Sequence, residues 1–259
     1  MPDFLSDLFE LKGKKAAIIG AGGYICSEMA LALSKTGVSV AVLDKNEKSL
    51  KNVFKKIRLE TEDCIAISLD VTKKKSHEKA LKKILERFGD LDILINGAGI
   101  NAPTAFLKIS LNEWYTILDT HLTGTFLGCQ VFGNFMVKNR KGSIINISSA
   151  SSGPPLSKAF TYSVAKAGIK NLTQNLAREW APYNVRVNAL RPGFFPTEWS
   201  KKHFITPDRE RAILGHTPMN RFGKPEELAG AVLWLSSDAA SFVTGAEITI
   251  DGGFSCMTI

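Results

Sequence analysis

Short, nearly continuous apolar runs alternate with longer amphipathic stretches along this chain. Lys15-Ala16-Ala17-Ile18-Ile19 reads as a buried first strand. The runs 38–43, 64–69, 91–95, 143–147, 185–190 and 247–250 read as the second to seventh. Helical periodicity falls between them, at 27–35, 46–58, 74–88, 111–138, 160–180 and 225–236. Strands that are apolar almost throughout must be covered on both faces, and helices between them make the sheet parallel. The pattern predicts a single-domain, doubly wound α/β fold of Rossmann type over residues 1–259. Such a fold binds ligands beyond the C-terminal ends of its strands. No linker, repeat or low-complexity tract divides the chain. The least regular stretch, 192–220, follows the sixth strand and is expected to form a substrate-covering loop region.

Composition changes this picture little. At 259 residues the chain suits one α/β domain, and 44% hydrophobic with 22% charged residues is ordinary for a globule. No run approaches the roughly 18 apolar residues of a membrane span. Met1-Pro2-Asp3-Phe4-Leu5 lacks the basic flank and apolar core of a secretory signal. A cytoplasmic enzyme with no membrane partner is the expectation. Cys26, Cys64, Cys129 and Cys256 are far apart and have no matching histidine cluster, so reduced thiols and no metal site are expected. The net charge of +8 is spread over short lysine runs that read as solvated helix faces, so no nucleic-acid partner is expected.

The chemistry begins at the first strand–helix junction. Ile19-Gly20-Ala21-Gly22-Gly23-Tyr24-Ile25 can bring backbone N–H groups up to a pyrophosphate at a helix N-terminus. Asp44 ends the second strand, where a carboxylate accepts hydrogen bonds from ribose hydroxyls and repels a 2′-phosphate. That favours NAD over NADP, although Lys45 follows at once. A turn or helix-cap role is the alternative for Asp44. Asp70-Val71 ends the third strand and Asn96-Gly97-Ala98-Gly99 the fourth, both at the edge where a cofactor would lie. Tyr162 and Lys166 are four apart in a helical stretch and share a face. A neighbouring ammonium lowers a phenol pKa, which makes Tyr162 a usable acid or base for a hydroxyl/ketone pair. Ser149, just past the fifth strand, is placed to bond the same substrate oxygen.

In this order, these features resemble the short-chain dehydrogenase/reductase family, and the resemblance runs from about Leu11 to Gly253. It implies that Tyr162 is the catalytic acid/base, that Lys166 binds the nicotinamide ribose, and that Ser149 orients the substrate carbonyl. Asp70 and Val71 look like the adenine contacts. Pro192-Gly193-Phe194-Phe195-Pro196-Thr197 looks like the family's nicotinamide-amide segment, with Pro192, Gly193, Phe195 and Thr197 as contacts. Homotetramers are common in the family and are carried over as an expectation.

Two departures stand out. The family's later loop glycines fall where this chain has Tyr24 and Cys26. Its catalytic Asn falls where this chain has His121. An imidazole titrates near neutrality and can relay protons itself, or it is a tolerated substitution.

The C-terminal third is similar to the sugar-acid branch, which includes D-mannonate oxidoreductase (fructuronate reductase) and gluconate 5-dehydrogenase. Asn101 and Glu198 are then candidates for sugar hydroxyls, and Arg221 or Lys202 for a carboxylate. The alternatives are another polyol, sugar or 3-oxoacyl substrate, or a weak NAD-binding sensor or scaffold.

Overall fold

The structure is a computed structural model that describes residues 4–154, 156–197, 201 and 205–257. Its strands are β1 Lys15–Ile19, β2 Ser39–Asp44, β3 Cys64–Ser68, β4 Ile93–Asn96, β5 Gly142–Ile147, β6 Val185–Pro192 and β7 Glu247–Ile250. They form one parallel sheet in the order β3-β2-β1-β4-β5-β6-β7. The order reverses between β1 and β4, and the crevice above that point is where a doubly wound sheet takes its ligand.

Eight helices are described. α1 is Phe4–Leu8, α2 Tyr24–Ser34, α3 Glu47–Arg58 and α4 Lys74–Phe88. α5 spans 111–138 and contains two π-helical turns, Asp119–Thr123 and Cys129–Gly133. α6 is Phe160–Trp180, α7 Pro207–Gly215 and α8 Ala229–Ser236. Local chemistry sets the boundaries. Asn46 caps α3 by accepting from Ser49 N–H at 3.0 Å. Gly89, at φ +76°, closes α4 in the left-handed conformation that suits glycine.

Side chains of each central strand point alternately to the two faces. Ala16 and Ile18 of β1 enter one apolar layer with Met29 and Leu33 of α2, Leu50 and Val53 of α3, and Val232 and Leu235 of α8. Ala17 and Ile19 enter the other with Ile84 of α4, Phe132 and Met136 of α5, and Ala177 of α6. Both faces of the central strands are covered, as their continuous apolar runs require, whereas β3 and β7 at the edges are partly exposed.

One expectation needs correction. The 192–220 stretch is not wholly irregular, since α7 lies inside it. Its start was legible: Thr206 accepts from Arg209 N–H at 3.3 Å and Pro207 fills the first helical position.

Candidate active site

The loop after β1 turns on Gly20, whose φ of +82° and close approach to Ala98 leave no room for a side chain. Gly23 precedes α2 in extended conformation and offers no side-chain cap. The first N–H groups of that helix are therefore unpaired by any cap. Asp44 takes Gly22 N–H at 3.0 Å and Asn46 N–H at 2.8 Å, so its carboxylate also braces the loop. A groove of about 370 Å³ runs over the ends of β1–β4, and Gly20, Gly23, Asp44, Asp70, Val71, Gly97 and Ala98 help to line it. Burial alone would raise the Asp70 pKa, but bonds from Thr72 and Lys45 hold it at about 2. A cradle of bare backbone donors with carboxylates at its far end fits a dinucleotide.

The groove meets a second cavity of about 590 Å³ at Gly99 and Ile100. Ile25, Asn101, Ser149, Tyr162, Gly193 and Phe195 are among its walls. Tyr162 and Lys166 both lie on α6. Lys166 Nζ donates to the Ile147 carbonyl at 2.6 Å and sits 5.5 Å from the centre of the Tyr162 ring. Burial lowers the Lys166 pKa to about 8. The phenol does not behave as the sequence suggests. Burial raises its pKa, and the opposing influence is a hydrogen bond with Ser149 rather than the Lys166 charge.

His121 lies in the first π-helical turn of α5, a distortion common at functional sites. Its ring meets Tyr162 edge-on at 5.0 Å between centroids. Nε2 is 2.6 Å from the Ile100 carbonyl oxygen and 2.9 Å from Ile100 N. Nδ1 is buried without a partner. Burial, then the Lys166 charge, push the pKa down to about 3 against the Ile100 bond. The titration near neutrality expected of this histidine is thereby corrected: the ring is uncharged at physiological pH.

A family profile described as "Enoyl-(Acyl carrier protein) reductase" matches residues 20–255. The Bacillus subtilis "Uncharacterized oxidoreductase UxuB" is 40% identical, with 94% of this chain and 95% of that protein covered. The "NAD-dependent glycerol dehydrogenase" of Listeria innocua is 36% identical, with 95% of each covered. A solved gluconate 5-dehydrogenase from Burkholderia cenocepacia, in complex with NADP and tartrate, is similar at a TM-score of 0.92. It is 29% identical, with 98% of this chain and all of that one covered. The chain belongs to the short-chain dehydrogenase/reductase family. It is a nicotinamide-dependent oxidoreductase of CH–OH groups.

As a short-chain dehydrogenase/reductase it accommodates its departures in space that glycines leave free. Cys26 is buried, and a Cβ on Gly97 would lie 2.2 Å from its Sγ. The thiol in α2 thus occupies space that glycine in the β4 loop leaves free. In the same way a Cβ on Gly99 would lie 2.1 Å from His121 Cε1. Tyr24, at the start of α2, is exposed.

Other sequence-predicted positions fall elsewhere. Asn96 does not face the groove: its amide is buried and donates to Asn146 Oδ1 at 2.9 Å, so it ties β4 to β5. Pro192 is buried in the ladder opposite Ile250. Thr197 lies at the end of the described segment, where its carbonyl accepts from Lys201 N–H. Arg221 is spent on a two-pronged bond to Glu227, at 2.6 and 2.8 Å, and lines a separate pocket of about 110 Å³. It is therefore not a wall of the 590 Å³ cavity. Glu198 and Lys202 lie outside the described residues.

The turn carrying Ser149 is held from beneath, which no motif announced. Glu247 Oε1 accepts from Ser148 and Ser152 at 2.7 and 2.9 Å, and its Oε2 faces Arg191 and Lys170 at 3.5 and 3.3 Å. Arg191 also donates to the Ala150 carbonyl. Glu247→Gln would leave the Arg191 guanidinium unpaired, at 11% exposure. It is expected to cost about 3 kcal/mol of stability in urea unfolding. An unchanged midpoint would show that the cluster does not hold the turn.

Proposed function

We propose that this protein is an NAD-linked dehydrogenase of sugar acids such as D-mannonate or gluconate. The supporting observation is that Tyr162, Ser149 and Asn101 line a cavity that opens at Gly99 and Ile100 onto a groove suited to a dinucleotide. A bound nicotinamide supplies the acceptor for the hydride leaving the carbinol carbon. The Tyr162 oxygen takes the hydroxyl proton during oxidation and returns it during reduction. Ser149 hydrogen-bonds the same substrate oxygen and restrains the phenol. Lys166, fixed on Ile147 and 5.5 Å from the ring centre, would donate to the nicotinamide ribose. His121 clamps the β4 loop at Ile100, and its uncharged ring, edge-on to Tyr162, lies in the proton path. Gly20, Gly22, Gly23, Tyr24 and Ile25 would hold the pyrophosphate end, Asp70, Val71, Gly97 and Ala98 the adenosine end, and Gly193, Phe195 and Thr197 the nicotinamide amide.

The preference for NAD rests on Asp44. Lys45, the cation that weakens the case in sequence, points to Asp70 at 3.3 Å and is partly neutralised there. The test is an assay of NADH or NADPH formation from a panel of sugar acids and neutral polyols. Wild type should favour NAD, and Asp44→Ser should raise the NADP/NAD ratio of kcat/KM at least about tenfold, since a pair of like charges is removed. A ratio that does not move would remove Asp44 from cofactor choice.

The 192–220 region supplies Phe194, Phe195, Pro196, Ile205 and Arg209 to the cavity wall, in keeping with a covering role. A homotetrameric, cytoplasmic enzyme is part of the same proposal. Exposed Phe106, Leu107, Leu111, Tyr115, Phe126, Phe160 and Val164 give the α5 and α6 region an apolar surface suited to subunit contact.

A further inference from the structure

The walls of the 590 Å³ cavity are apolar side chains, small residues, hydroxyls and the Asn101 amide, with one charged exception. Arg209 is the only charged side chain among its described lining residues. It sits in the first turn of α7, whose start is fixed by Thr206 and Pro207. Its Nη1 donates to Ser157 Oγ and its Nη2 to the Ser157 carbonyl, both at 3.1 Å. Those bonds join the segment beyond the Ser149 turn to α7 and restrain the guanidinium at the cavity's edge.

A guanidinium carries five N–H donors in a fixed fork, and Ser157 occupies two. Three remain. No carboxylate pairs with Arg209 among the described residues. Three other arginines are closed by carboxylates: Arg221 by Glu227, Arg191 by Glu247 and Arg211 by Asp208. Arg209 is thus a half-buried cation, restrained by neutral partners, in the same cavity as Tyr162 and Ser149. Planar two-oxygen anions match that fork best. A cavity of this size is in the range that encloses small ligands.

We propose that Arg209 is the specificity-determining residue that binds the carboxylate of the substrate, so that the cavity selects aldonates over neutral polyols of the same length. This rests on the dehydrogenase reading of the site and names the residue that would set its substrate class. It also moves the carboxylate contact from Arg221 to α7.

The test uses two matched pairs, D-gluconate with D-glucitol and D-mannonate with D-mannitol, on wild type, Arg209→Gln and Arg209→Lys. KM and kcat are read with NAD, and binding of each compound to the NADH-loaded protein is read by calorimetry. Arg209→Gln is expected to weaken acid binding and raise its KM by about 10- to 100-fold, with kcat little changed, as for loss of a charged hydrogen bond. Neutral polyols should be unaffected, and Arg209→Lys should restore part of the acid preference. Equal acid affinity in wild type and Arg209→Gln would overturn the proposal, as would a wild type that prefers the neutral member of both pairs. If no compound turns over, the dehydrogenase reading fails, while the calorimetry still decides whether Arg209 binds the acid.

Discussion

Tyr162→Phe is expected to lower kcat for alcohol oxidation on the order of a thousandfold while NADH binding stays within about twofold of wild type. The substitution keeps the ring, with its edge contact to His121 and its place beside Lys166. It removes only the oxygen that exchanges a proton with the substrate, so the loss belongs in the transition state and appears in kcat. A thousandfold corresponds to about 4 kcal/mol of barrier. The phenol pKa is raised by burial, with Ser149 opposing. Oxidation needs the deprotonated oxygen, so wild-type kcat should climb with pH on the alkaline side of neutrality, and Ser149→Ala should move that climb higher still. Stopped-flow measurement of NADH formation and a fluorescence titration with NADH separate the two effects. A Tyr162→Phe enzyme that retains more than a tenth of wild-type kcat would remove the phenol from the mechanism.

His121→Asn is expected to make the protein less sensitive to acid. The unfolded histidine takes up a proton near pH 6.5. The folded one resists until about pH 3, because burial and the Lys166 charge both oppose an imidazolium. Below 6.5 the unfolded state therefore binds more protons than the folded state, and stability falls as pH falls through that window. The contribution is fully present above pH 6.5. Its loss amounts to about 1.4 kcal/mol per pH unit, or roughly 3 kcal/mol between pH 7 and pH 4. Asparagine does not titrate, so that part of the slope should vanish in the variant. His77, also buried with a lowered pKa, remains in both proteins and leaves a residual slope. Urea unfolding at pH 7, 6, 5 and 4 gives the comparison. Parallel slopes would mean that His121 is charged in the folded state.

Much of the fold was readable from the chain because its causes are local. Buried parallel strands need near-continuous apolar runs, and Ala16 to Ile19 had to alternate between two covered faces. The glycine turn after β1, Asp44 at the end of β2 and the Tyr162–Lys166 spacing are likewise short-range signals. α7 was also written locally, in Thr206-Pro207, but the surrounding irregular composition concealed it.

What depended on distant partners was not readable. Asn96 adjoins the glycines of the groove in sequence, yet the neighbouring strand decides its bond to Asn146. Arg221 and Arg209 look alike along the chain; Glu227 neutralises one, while α7 places the other among the cavity's lining residues with Ser157 as its partner. Glu247, almost 100 residues from Ser149, supports its turn through the sheet. The protonation of His121 belongs to the same class. By itself the sequence determined the strands, the helices and the residue types that can exchange a proton. The tertiary structure alone decided which of them are charged and which share one cavity, because desolvation and pairing depend on neighbours in space rather than in sequence.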